Sequence, residues 1–166
     1  MHPFPGRARR PSPERVRLED RPDAVSPSPP RHHHGDAVNG VDPVARALEQ
    51  VRGAALSLPE TNERLSHGAP TFFIRDRSSF VMFHDDHHGD GRLAIWCAAP
   101  SGVQGLVVDE DPRRFFVPPY VGHRGWLGLR LDLDVDWDEV HAVIEDAYRC
   151  VAPKRLLAPL DDGPPG

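Results

Sequence analysis

With 166 residues, 39% of them hydrophobic, the chain is long enough for one domain with a real core and too short for two large ones. Its formal net charge of −5 is uneven: seven Arg against five acidic residues give +2 over residues 1–40, and thirteen Lys or Arg against twenty Asp or Glu give −7 over residues 41–166. An acidic folded part argues against strong nonspecific attraction to nucleic acid, which comes from neutralised phosphates, but leaves room for a local basic face.

The N-terminus lacks the apolar run of a signal peptide, and no stretch reaches the ~20 apolar residues of a spanning helix. The expected compartment is the cytosol, with no membrane partner. Cys97 and Cys150 belong to no CxxC or Cys/His spacing and read as reduced, buried thiols.

Residues 1–40 hold eight of the nineteen prolines and almost nothing large and apolar after Phe4. Burial cannot offset the ordering entropy of such a segment, so residues 1–41 are expected to be a disordered extension. Its basic arm of Arg7, Arg9, Arg10, Arg15 and Arg17 reads as a solvated extension or a phosphate-seeking tail. The run His32-His33-His34 has no fixed geometry for a metal.

Order begins at Asp42-Pro43, a helix cap followed by proline in the first turn. Val44, Ala47, Leu48, Val51 and Ala55 recur at helical spacing, which predicts a helix over 43–57 ended by Leu58-Pro59. After a short connection, three β-rich segments follow: 71–75, 80–84 and 92–97. The gaps 76–79 and 85–91 suit hairpin turns, so these strands form an antiparallel meander. Val103, Leu106 and Val107 predict a second helix over 101–109 with Ser101 as its cap.

The stretch from Phe115 to Leu131 carries two Phe, Tyr120, Trp126, two prolines and three glycines, with no acidic residue. It reads as a short strand, a bend at Pro118-Pro119, a glycine loop over Gly122–Gly125 and a strand from Trp126, with Phe115, Phe116 and Trp126 serving the core and the bend. Asp136 then caps a helix containing Val140, Val143, Ile144, Ala147, Tyr148 and Val151, which ends before Pro153.

The cluster His84, Asp85, Asp86, His87, His88 and Asp90 has the atoms of a metal site, but neighbours on one hairpin loop point apart, so an exposed polar turn is expected and no metal. Ser66-His67-Gly68 is not a triad, and no phosphate-binding glycine motif or cofactor signature is present, so no cofactor is expected. Asp132, Asp134, Asp136 and Asp138 are explained by capping and the helix dipole. Gly122-His123-Arg124-Gly125 matches the G-x-x-G of a KH loop, yet a strand rather than a helix follows it. What remains is a glycine loop that, with Arg113 and Arg114, can offer donors to phosphate; the plainer reading is that those two arginines balance Asp109, Glu110 and Asp111.

Taken in order, Leu58-Pro59-Glu60, His67-Gly68-Ala69-Pro70, Thr71-Phe72-Phe73-Ile74, Phe115-Phe116-Val117-Pro118-Pro119-Tyr120-Val121-Gly122, Gly125-Trp126, Asp136-Trp137 and Ala152-Pro153 resemble the MmcQ/YjbR family over about residues 42–160. The resemblance implies an α+β fold of the double-wing, CyaY-like kind, an antiparallel sheet packed against two or three helices, with 161–166 as a tail. It also implies DNA binding, described for the family on structural grounds.

The expected function is therefore a non-enzymatic module that binds DNA weakly. Arg75, Arg77, Arg113, Arg114, His123, Arg124, Lys154 and Arg155 are the candidate phosphate contacts, and no residue pair suggests base readout. The alternative is a small-ligand or enzymatic pocket of His67, Tyr120 and Trp126 with Arg75.

Overall fold

The structure, a computed structural model, describes residues 40–163. The Arg-rich arm, His32–His34 and the last three residues lie outside that range. Helix α1 (Pro43–Leu56) starts as its sequence dictates: the Asp42 side chain accepts from the Val44 N–H at 3.2 Å, Pro43 occupies the first turn, and Ala47, Val51 and Ala55 form the buried stripe.

Strands β1 (Thr61–Ser66), β2 (Ala69–Ile74), β3 (Ser78–Asp85) and β4 (Leu93–Cys97) follow, then helix α2 (Val103–Glu110), strands β5 (Phe115–Phe116) and β6 (Leu127–Arg130), and helices α3 (Trp137–Val151) and α4 (Lys154–Asp161). The six strands form one antiparallel sheet in the order β1-β2-β3-β4-β6-β5. The architecture is α+β, as the sequence implied.

Register sorts the side chains. Phe72 lies opposite Val81, Val81 opposite Cys97 and Cys97 opposite Leu127; Phe83 lies opposite Ile95 and Ile95 opposite Leu129. These share one face, because partners across a ladder point the same way. Helices α1 and α3 cover it: Arg52 of α1 pairs with Glu63 at 2.7 Å, and Tyr148 of α3 meets Phe80 edge-on with ring centroids 5.6 Å apart. On the other face Met82, Trp96, Gly128 and Phe116 stand in one row, with His84, Ala94 and Arg130 in the next. Gly128 is needed there, since a Cβ would lie 2.5 Å from the Phe116 ring.

Several expectations need correction. The connection after α1 is strand β1, which Thr61-Asn62-Glu63-Arg64 conceals by its polarity; its full-length pairing with β2 and the Arg52–Glu63 pair hold it. Helix α4 was not expected after Pro153 and with Pro159 inside it. Pro153 sits at the cap, where no N–H is needed, and Leu156 is buried. Helix α2 begins two residues late because Gly102, at φ 82°, takes the cap position instead of Ser101.

Asp136 caps α3 by accepting from the Asp138 N–H at 3.0 Å, and Glu139 of its first turn pairs with Arg114. Cys97 is buried and its thiol is pushed up to about 12 by that burial, but Cys150 is exposed. The segment 84–90 is only in part a solvated turn: His84 is 9% exposed, at the end of β3.

Candidate nucleic-acid interface

The register places the end of β2, the start of β3, the end of β4 and the start of β6 at one end of the sheet. The β2–β3 turn there carries Arg75 and Arg77. The Arg77 N–H donates to the Ile74 carbonyl at 3.1 Å, and Arg75 and Asp76 adopt φ of 54° and 58°. Arg75 reaches back to Glu60 at 2.6 Å.

Helix α4 begins close by. The Tyr148 hydroxyl donates to the Pro59 carbonyl at 2.8 Å, and Arg155 approaches the same Glu60 carboxylate at 3.7 Å. Lys154 is the first residue of α4 and is exposed.

His123 and Arg124 belong to a 3-10 turn, Gly122–Arg124, that feeds β6 at this same end. Val117 and Pro118 pack so closely on it that a Cβ on Gly122 would lie 2.5 Å from Val117, and Gly125 closes the turn at φ 81°. Gln104 of α2 fixes the loop from outside, donating to the Gly122 and Trp126 carbonyls at 2.8 and 2.5 Å. Arg124 lies with its guanidinium 5.6 Å above the Trp126 ring, and His123 is exposed. With two strand spacings between β3 and β6, the two loops stand on the order of 10 Å apart.

Arg113 and Arg114 are at the opposite end. The Arg130 N–H donates to the Arg114 carbonyl at 2.9 Å, beyond the Phe115–Leu129 pair. Arg114 is committed to Glu139, with Asp111 3.9 Å away, and lines an acidic cavity of about 270 Å³ with Asp134, Val135 and Asp136. Of the eight candidates, six therefore share one end, and Arg77, Lys154, His123 and Arg124 have no carboxylate partner among the described residues.

The alternative pocket does not assemble. His67 sits at the β1–β2 turn and Arg75 at the other end of β2, a strand length or on the order of 20 Å away. Trp126 is buried, and Tyr120 is turned toward His87 with ring centroids 6.1 Å apart.

Sequence reasoning gave no role to the cluster on the open face. The His84 ring lies 3.8 Å from the Trp96 ring, His87 lies 4.7 Å from both, and His88 lies 4.2 Å from His87. Burial holds His84 down at about 4, and the neighbouring His87 adds to the effect; burial likewise lowers His87. The Nε2 atoms of both are buried without a hydrogen-bond partner. The spacing His84, His87 was visible in the sequence, but Trp96 joins them only through strand register. Among the described residues no group of three or more His, Cys, Asp or Glu is arranged to hold a metal, and no helix is long and apolar enough to cross a membrane.

A family model described as YjbR matches residues 56–150. Among solved structures the chain is similar to the crystal structure of Deinococcus radiodurans protein DR2400, which carries the family-model domain DUF419. The two share 12% identity with a TM-score of 0.55, over 69% of this chain and 87% of that one, a likeness of fold. No curated protein matches.

Proposed function

The chain belongs to the YjbR family, and on that premise we propose that it is a non-enzymatic module that binds nucleic acid weakly through the phosphate backbone. The observation that carries this reading is the gathering of Arg77, His123, Arg124 and Lys154 at one end of the sheet without carboxylate partners among the described residues. Arg75 and Arg155 stand beside them on a single shared carboxylate, Glu60.

Two basic loops set a few strand spacings apart on the same end of the sheet allow contact with more than one phosphate. The contacts are of the positioning kind, since arginine and lysine on turns with no paired amide side chains neutralise phosphate rather than read base edges. The acidic balance of residues 41–166 limits affinity, and the phosphate contacts make what affinity there is fall with salt.

Fluorescence anisotropy with a duplex over a salt series tests this. Binding is expected at ~50 mM salt and is expected to fall steeply by ~200 mM. The double substitution Arg77→Ala, Arg124→Ala is expected to lower the salt slope by about two phosphates, whereas Arg113→Ala at the far end leaves it unchanged. No binding at ~50 mM salt, where phosphate contacts are strongest, removes the proposal.

A further inference from the structure

Tyr120 is the most exposed aromatic side chain of the described residues, at 71%. It is also among the most constrained in backbone. It sits at φ 65°, where a side chain is disfavoured, between the Val121 N–H to Pro119 carbonyl bond at 2.7 Å and the Gly122 N–H to Pro118 carbonyl bond at 3.0 Å. A large ring presented to solvent from a strained backbone contributes nothing to the core, and such strain is kept where the surroundings impose it. Its neighbour is the His87 ring, which packs with His84 on Trp96.

His84 is nine-tenths buried, and its Nε2 and that of His87 lack any partner. A buried polar atom left unpaired bears its full desolvation cost, so a ligand atom that pairs with it gains more than an ordinary surface contact. Because burial keeps both imidazoles neutral near pH 7, each offers one N–H donor and one lone pair. That pairing suits the mixed donor and acceptor edge of a heteroaromatic ring better than a phosphate or carboxylate, which when ionised only accepts. His87 stands on a short 3-10 turn, His87–Gly89, outside the strand ladder, and its ring packs against His84 and Trp96. Three and four residues beyond Tyr120 come His123 and Arg124, the proposed phosphate contacts of the same loop.

We propose that Tyr120, His87 and His84 on the open face of the sheet form a nucleobase site. This rests on the phosphate-binding reading above and changes its ligand: the unit recognised is an unpaired nucleotide, either free or within a single strand. The base stacks on Tyr120 and its edge pairs with the imidazole nitrogens.

The experiment compares a labelled single strand of about 12 nucleotides, within the usual footprint of such surfaces, with an abasic strand of equal length and charge. The intact strand is expected to bind roughly 5- to 100-fold more tightly, the range of one base stacked on an aromatic ring. Tyr120→Ala is expected to erase that difference, Tyr120→Phe to keep it, and Arg124→Ala to weaken both strands alike, with circular dichroism confirming that each variant folds.

Equal affinity for the intact and abasic strands, with a salt slope retained, overturns the base site and leaves the phosphate reading standing. Should neither strand bind, adenosine and adenosine monophosphate are titrated while the imidazole and indole proton resonances of His84, His87 and Trp96 are followed. Shifts that vanish in Tyr120→Ala keep the base site for a free nucleotide and remove the strand-binding reading; unshifted resonances overturn the base site.

Discussion

The two faces of the sheet are both buried near the centre, yet they are built by different means. The helix-backed face is closed by Phe72, Phe80, Ile95, Leu129 and Tyr148, and its one deep hydroxyl, that of Tyr148, donates to the Pro59 carbonyl at 2.8 Å. On the open face Trp96 is 3% exposed, but the groups against it include two imidazoles whose inner nitrogens are unpaired, and a turn with φ of 51° at Asp86 and 53° at His88. Among the described residues the helix-backed side holds one such nitrogen, His141 Nε2 on α3, whereas the open face holds two beside a strained turn. Departures of that sort from local rules mark functional surfaces more often than structural ones.

The comparison breaks most easily on the stable side. Phe80→Ala removes a fully buried ring and its edge-on contact with Tyr148, at an expected cost of about 3–5 kcal/mol in urea unfolding. A cost under ~1 kcal/mol would mean that this face is not the core. On the open face the sharpest steric test is Gly128→Ala, whose new Cβ would lie 2.5–2.7 Å from three Phe116 ring atoms. The ring has to move, and about 1–3 kcal/mol of destabilisation is expected, measured in the same way.

Acid distinguishes the faces next. His84 titrates near 6.5 when unfolded and near 4 when folded, through burial first and then the charges of His87 and His88, with Asp90 opposing. Above pH 6.5 both states are neutral and stability is at its full value. As pH falls from 6.5 toward 4 the unfolded chain takes a proton that the folded one refuses, so stability declines. The interval is worth about 3 kcal/mol before solvent screening and on the order of 1–2 kcal/mol after it. Melting temperature followed from pH 7 to pH 4 is expected to fall in the natural protein and to stay flatter in His84→Phe. Asp132, held below the ordinary carboxylate range by its hydrogen bonds with Arg130, has its effect at lower pH than this window.

The helix-backed face was the more legible of the two in the sequence. Periodicity marked α1 and α3, their caps Asp42 and Asp136 were visible, and three strands announced themselves by aromatic and β-branched residues. Strand β1 and helix α4 were hidden because their formation depends on partners distant in sequence: β2 for Thr61–Ser66, and the burial of Leu156 for a helix framed by Pro153 and Pro159. The candidate phosphate contacts could be named one by one, but their division into six at one end and two at the other follows from strand order, which no local pattern encodes. The same holds for His84 and Trp96, brought together across a register that pairs Met82 with Trp96 and His84 with Ala94.

The smallest expected effect on stability carries the most information about the basic end. Glu60 stands just before β1 at φ 57° and holds Arg75 at 2.6 Å and Arg155 at 3.7 Å, all three side chains at least 40% exposed. Exposed pairs of this kind contribute about 0–1 kcal/mol, so Glu60→Gln is expected to shift the unfolding midpoint little. Removing the carboxylate releases both guanidinium groups toward the ligand and takes one like charge away from an approaching phosphate. Affinity for nucleic acid is therefore expected to rise and its salt dependence to steepen by about one to two phosphates. A carboxylate that merely braces the β1–β2 and α4 contacts predicts the reverse, with stability lost and affinity unchanged or weaker. Anisotropy and unfolding on the same variant separate the two outcomes.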